Sequence, residues 1–349
     1  MTRHSAREMR TWRIILVAVI CGLISPAAIA CTDFMATNGV LVLFGDSEDG
    51  GLGHDFVENP ECGAIFFVPR APGEHGRMYL GWLLEEKYRC YQAGMNERGL
   101  AYGLTSVPNT PLNPHPERPY TFRDTPYCDR LLARLETVDE VIEYTMQYAP
   151  DELWFQAMFV DANGDAVVVG PGTDGEFAFT RKPADADVFT AVSTINLADP
   201  PRRPWRDAVK RRDDADAILL EAIAEDTLSP ETFAQALDAV HQETLAIGGS
   251  YTMYSTTYDL THRAVHIYFM SQFDEVVEID LAEELANGSD MLLLTDLFSD
   301  DLQERAFAQF RAKARVGRAV LAVEIAAAIA LLGAAAIGIG LLAINLFRP

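Results

Sequence analysis

Cys31-Thr32-Asp33-Phe34-Met35-Ala36-Thr37-Asn38-Gly39-Val40-Leu41-Val42-Leu43-Phe44-Gly45-Asp46-Ser47-Glu48-Asp49 reads as two apolar runs joined by Asn38-Gly39. Asn-Gly accepts the backbone geometry of tight hairpins, so the pattern predicts an antiparallel pair whose first strand begins at the cysteine. The acidic run after Gly45 then reads as a turn. An antiparallel return carries that turn back beside Cys31.

The residues before the hairpin give the cysteine a chemical meaning. Arg3, Arg7, Arg10 and Arg13 precede an apolar run at 14–24, a Ser25-Pro26 break and Ala28-Ile29-Ala30, the layout of a secretory signal peptide over 1–30. Cleavage after Ala30 would make Cys31 the first residue of the mature chain. It would then carry a thiol and a free α-amine that titrate close together, a nucleophile and a base in one residue. Two other readings stand beside this one: a lipidated cysteine, although Ala28 stands where leucine is usual, and a structural cysteine.

Composition narrows the partners. The chain has 349 residues, of which 49% are hydrophobic, enough for a large core. A net charge of -23 disfavours nucleic acid, whose phosphates need clustered lysine and arginine. Cys62, Cys90 and Cys128 accompany Cys31 beyond the signal and could stay thiols or supply a disulfide. His262 and His266 fall four apart in a probable strand, without the geometry of a helical zinc motif, so neither metal nor cofactor is expected. Near the other end, 325–347 is uncharged and would span about 34 Å as a helix at ~1.5 Å per residue. A transmembrane anchor is therefore expected over 319–347, with the domain exported and held at the membrane.

Between these ends the grammar is strand and turn, then helix, then strand. Short apolar runs at 64–68, 78–82 and 100–104 predict strands, and 108–119 reads as a proline-rich loop. Helical periodicity occupies 127–148, with Thr137 and Glu140 spaced as a capping box. Asn163-Gly164 predicts a second hairpin and 188–193 a strand; a helical stretch follows the basic cluster Arg202, Arg203 and Arg206 to about 223, and Ser229-Pro230 caps a further helix to about 244. Three strands at 251–258, 262–270 and 275–279 follow, then a short helix at 280–285. The pattern predicts an α+β layered domain over 31–289 and an amphipathic connector over 290–318.

Four stretches taken in order resemble a known family. They are Cys31-Thr32-Asp33-Phe34, Phe44 to Asp49, Gly94-Met95-Asn96-Glu97-Arg98-Gly99-Leu100-Ala101 and Tyr254-Ser255-Thr256-Thr257-Tyr258-Asp259. Together they resemble the linear amide C–N hydrolases, the family of choloylglycine hydrolase and penicillin V acylase. The resemblance implies an N-terminal-nucleophile (Ntn) hydrolase with a four-layer αββα sandwich. It implies a small-molecule N-acyl amide as substrate, cleaved through an acyl-enzyme. Cys31 matches the nucleophile, Asp49 the acid that contacts its amine, and Asn196 the asparagine near the oxyanion. Arg206 matches the supporting arginine, with Arg202 and Arg203 close by. Asn96 and Glu48 read as turn or supporting residues.

Two positions depart from the bile-salt enzymes: Asp46 replaces an arginine, and Ser106, a candidate substrate-binding residue, replaces an asparagine. Substrate choice is accordingly open. An acyltransferase or dipeptidase on the same scaffold, or a tethered binding domain that has lost catalysis, are the competing readings, and a homo-oligomer is compatible with all of them.

Overall fold

The computed structural model describes residues 31–85, 87–118, 127–147, 152–245 and 249–346. The expected signal peptide, 1–30, lies outside them. The first hairpin forms as expected from β1 (Thr32–Thr37) and β2 (Val42–Gly50). Gly39 takes a φ of +82° at its tip, where the Asn38 carboxamide oxygen accepts from the Val40 and Leu41 amides at 3.1 and 2.9 Å. The acidic run is not a turn. β2 continues through Asp46, Ser47, Glu48 and Asp49 to Gly50, all of them buried.

This hairpin lies inside an antiparallel sheet of order β10 (Val188–Val192), β1, β2, β11 (Tyr251–Asp259), β12 (Ala264–Phe269) and β13 (Val277–Asp280). A second antiparallel sheet runs β14 (Met291–Leu293), β3 (Gly63–Val68), β4 (Arg77–Leu84), β5 (Tyr88–Asn96), β6 (Ala101–Pro111), β7 (Glu152–Val160), β8 (Ala166–Pro171) and β9 (Phe177–Arg181). Strand periodicity sorts the side chains. Met35, Phe44, Ile65, Phe67, Met78 and Leu80 meet between the sheets, while Phe34, Ala36 and Leu43 face the opposite way.

Helices cover both outer faces. α1 (Tyr127–Arg134) and α2 (Val138–Thr145) pack Leu131, Leu132, Val138 and Val141 on Phe66, Tyr79, Tyr102 and Phe159 of the second sheet. The expected single stretch at 127–148 is thus broken in two, and the Thr137–Glu140 capping box starts its second half. On the first sheet, α3 (Arg206–Ala224) and α4 (Pro230–Val240) bring Ala215, Leu219, Phe233 and Leu237 onto Phe34, Ala36 and Leu43. The layers are helix, sheet, sheet, helix. Each large apolar side chain so buried contributes about 1.5–3 kcal/mol.

The C-terminal reading changes. α5 (Leu281–Asn287) closes the expected helix after its Asp280 cap, and β14 then adds an edge strand to the second sheet. α6 (Asp300–Leu346) follows, and Leu302, Ala306, Phe310 and Ala314 enter the inter-sheet core. Most of the stretch expected as a connector is therefore part of the sandwich. The helical character of the expected anchor at 319–347 is present as far as Leu346, but its membrane-spanning character finds no support: among the described residues no helix is long and apolar enough to cross a membrane.

Candidate functional site

Cys31 stands one residue before β1, and the pairing of Thr32 with Ser47 sets it opposite Glu48. Its thiol donates to Glu48 Oε2 at 3.4 Å and approaches the Asp49 carbonyl oxygen at 3.8 Å. The Cys31 carbonyl accepts from the Ser193 amide at 3.0 Å and from Arg211 Nη1 at 3.3 Å. The residue is 2% exposed. Burial pushes the thiol well above its ordinary range, and the Glu48 and Asp49 carboxylates push it further. A thiol in this setting needs a base before it can attack.

Asp49 lies on the helix-facing side of β2. The Ser47 hydroxyl donates to its Oδ1 at 3.3 Å, and the Thr252 hydroxyl, from β11, donates to the same oxygen. Oδ2 is buried without a hydrogen-bond partner. Burial raises the Asp49 carboxyl to about 6, against the pull of Arg211 and of the two hydroxyls. The expected proximity of Cys31 and Asp49 is thus present, and it follows from strand pairing.

The arginine at the site is Arg211. Arg206 opens α3 exposed to solvent, whereas Arg211 is 3% exposed, donates to Cys31 and to the Thr32 hydroxyl, and pairs with Asp207 at 3.0 Å. At 3.6 residues per turn, five positions separate the two side chains by about 140° around the helix. The signal was present in the sequence. Ala208, Arg211, Ala215, Leu219 and Ala222 follow the three-and-four spacing of a buried face, and an arginine among them marks an internal cation.

Asn196 and Ser106 meet the site through the segment after β10. The Thr194 amide donates to the Ser106 carbonyl at 2.7 Å, and the Ser106 amide donates to Ser193 Oγ at 3.0 Å. Thr194 takes a φ of +74°, a strained conformation for a β-branched residue that costs on the order of 1–3 kcal/mol. Asn196 Nδ2 donates to the Pro171 carbonyl at 2.8 Å, and its Oδ1 accepts from the Ala198 amide at 3.0 Å. One Asn196 N–H is therefore held by β8. Gln156, which the sequence did not single out, ties the same segment down by donating to the Ile195 carbonyl at 2.8 Å. Asn96 is structural as expected, donating to the Leu132 and Leu135 carbonyls at 2.8 Å each.

Asp46 pairs with Asp33 across β1 and with Thr256 across β11. Burial raises the Asp46 carboxyl to about 7, although a hydrogen bond with Asp33 pulls it down. Burial and then the Asp46 charge raise both Asp33 and Glu48.

Sequence comparison alone matches the chain to no protein family and to no curated relative. Comparison of structures does find counterparts. A variant of conjugated bile acid hydrolase from Clostridium perfringens matches with a TM-score of 0.57 at 14% identity, covering 77% of this chain and 97% of its own. A second variant of that enzyme gives 0.53 at 15% identity, covering 75% and 96%. Penicillin V acylase from Agrobacterium tumefaciens gives 0.53 at 16% identity, covering 75% and 90%. The chain has the fold of these hydrolases, as the resemblance of its motifs implied.

Proposed function

We propose that the chain is an amidase that cleaves linear N-acyl amides with Cys31 as nucleophile. In this reading residues 1–30 are removed on export, and the new α-amine lies beside the thiol. The amine takes the thiol proton while sulfur attacks the carbonyl carbon. The tetrahedral intermediate collapses, the C–N bond breaks, and the proton passes to the leaving amine. Water, deprotonated by the same amine, then attacks the thioester, releasing the acid and restoring the thiol.

The observation that carries this reading is the buried Asp49 carboxylate, whose Oδ2 has no hydrogen-bond partner, on the residue whose backbone carbonyl lies 3.8 Å from the Cys31 thiol. An α-ammonium is the donor such an oxygen lacks. Arg211 and Ser193 hold the Cys31 carbonyl and so fix the nucleophile from behind. The second Asn196 N–H is available to the developing oxyanion, and the Ser106 backbone braces the segment that carries it.

Intact-mass measurement of the exported protein before and after a thiol-directed probe tests the proposal. The expected result is a chain beginning at Cys31 that takes up the probe, and loss of amide hydrolysis in folded Cys31→Ser. Retention of residues 1–30 in active protein, or undiminished hydrolysis by Cys31→Ala, would overturn it.

A further inference from the structure

Asp33, Asp46 and Glu48 form an acidic wall that the reaction above does not use. Strand pairing sets Asp33 opposite Asp46, Asp46 opposite Thr256, and Glu48 opposite Tyr254. All five are buried. The second sheet approaches this wall closely: a Cβ on Gly103 of β6 would lie 2.8 Å from Asp33 Oδ1. Glu48 joins the wall to the nucleophile through its contact with the Cys31 thiol.

The wall lacks a counter-charge. Among the described residues, no lysine, arginine or histidine pairs with any of the three carboxylates, and no such group is among the influences on them. Beyond the contact of the two carboxyls with each other, the oxygens of Asp33 and Asp46 have no hydrogen-bond partner, and neither have the hydroxyls of Tyr254, Thr256 and Thr105. Tyr254 stands opposite Glu48 in the strand register and packs between the sheets, on the face that Glu48 and Asp46 share. Folded proteins leave few buried polar groups unsatisfied, and a buried carboxylate left without a cation is costly. The chemistry of this lining calls for a small group that both donates hydrogen bonds and carries positive charge. Among the described residues no three His, Cys, Asp or Glu groups are arranged to hold a metal ion. A primary ammonium suits the lining better, with three N–H donors directed at carboxylates and hydroxyls within a compact volume.

We propose that Asp33, Asp46, Glu48, Tyr254 and Thr256 form a subsite for a primary ammonium group, so that the amide opened at Cys31 belongs to an amine-bearing molecule. The identity of the bond cleaved rests on the amidase reading; the binding of the ammonium does not. Asp46 lies two residues beyond Glu48, about 6.6 Å along the strand at ~3.3 Å per residue. An ammonium held there is separated from the scissile carbonyl by about four or five bonds.

Two pairs of amides test this in the mature protein. One pair carries the charge on the acyl side, 5-aminopentanoyl anilide against pentanoyl anilide. The other carries it on the amine side, N-acetyl-1,3-diaminopropane against N-acetylpropylamine. In at least one pair the charged member is expected to have a kcat/KM about tenfold or more above the neutral one. The ratio falls toward one in Asp46→Asn and in Asp33→Asn, each checked for folding by its thermal transition. Ratios near one in both pairs would overturn the subsite.

If no amide is cleaved at all, calorimetry on Cys31→Ala separates the two proposals. Tighter binding of 5-aminopentanamide than of pentanamide by about tenfold, lost in the added Asp46→Asn change, would uphold the subsite and remove the amidase. Equal binding within this pair, and also between N-acetyl-1,3-diaminopropane and N-acetylpropylamine, would remove the subsite.

Discussion

Replacing Arg211 by methionine tests whether the site is braced from α3. The substitution keeps an unbranched apolar stem but removes the donors to the Cys31 carbonyl and the Thr32 hydroxyl, both buried. Charge-assisted hydrogen bonds contribute about 1.5–3 kcal/mol each. Relief of the buried guanidinium's own desolvation offsets part of that loss. The Asp207 pair adds little, because its carboxylate is 55% exposed and screened by solvent. The Cys31 carbonyl also keeps its Ser193 partner at 3.0 Å. The expected loss is about 2–4 kcal/mol in urea unfolding. Arg206→Ala, at an exposed helix start, should stay within about 0.5 kcal/mol of the parent. Freed from its brace, the thiol also loses alignment, and amide hydrolysis should fall by about 10²-fold. Arg211→Lys keeps the charge but not the planar fork, and should lie between parent and methionine variant. Equal losses from Arg206→Ala and Arg211→Met, in either stability or turnover, would refute the assignment of the brace to Arg211.

Three further outcomes follow from the geometry. Asp46, raised to about 7 in the folded chain from an ordinary ~3.9, binds its proton more tightly when folded. Its stabilising contribution is therefore present below about pH 4 and is lost as pH rises through about 7. Asp46→Asn should flatten unfolding free energies measured across that range, and an unchanged slope would count against the buried carboxyl pair. Asn196→Ala should cost about 1–2 kcal/mol through its Pro171 and Ala198 hydrogen bonds. It should also lower kcat about 10²-fold if the second N–H serves the oxyanion, so a kcat within twofold of the parent would exclude that role. Gly103→Ala brings a methyl against Asp33 and should destabilise by about 1–3 kcal/mol; a neutral result in thermal unfolding would mean that β6 does not crowd that carboxylate.

The local devices were legible because each is written within a few residues. Asn38-Gly39, Asn163-Gly164, the Thr137–Glu140 box and Ser229-Pro230 specify turns or caps by short-range chemistry, and all four occur where expected. The proximity of Cys31 and Asp49 was legible for the same reason, since hairpin pairing is a local rule. β2 was cut short because four consecutive polar or acidic residues contradict the composition of an interior strand. There the demands of a site override propensity, which is where sequence reasoning tends to fail. β5, β9 and β14 were missed because their polar or brief segments become strands only through neighbours distant in sequence. Arg211 is legible only from the periodicity of α3, where it shares the buried face with Ala208 and Ala215, and not from its distance in sequence to Asn196.

α6 gives the site a mechanical connection. At ~1.5 Å per residue its 47 residues form a rod about 70 Å long, gripped along its first turns by Leu302, Ala306, Phe310 and Ala314. Phe310 meets Tyr251 edge to face at 5.2 Å, and the next residue, Thr252, holds Asp49. The base of the rod thus bears on the strand that holds Asp49, one residue along β11 from the hydroxyl that contacts it.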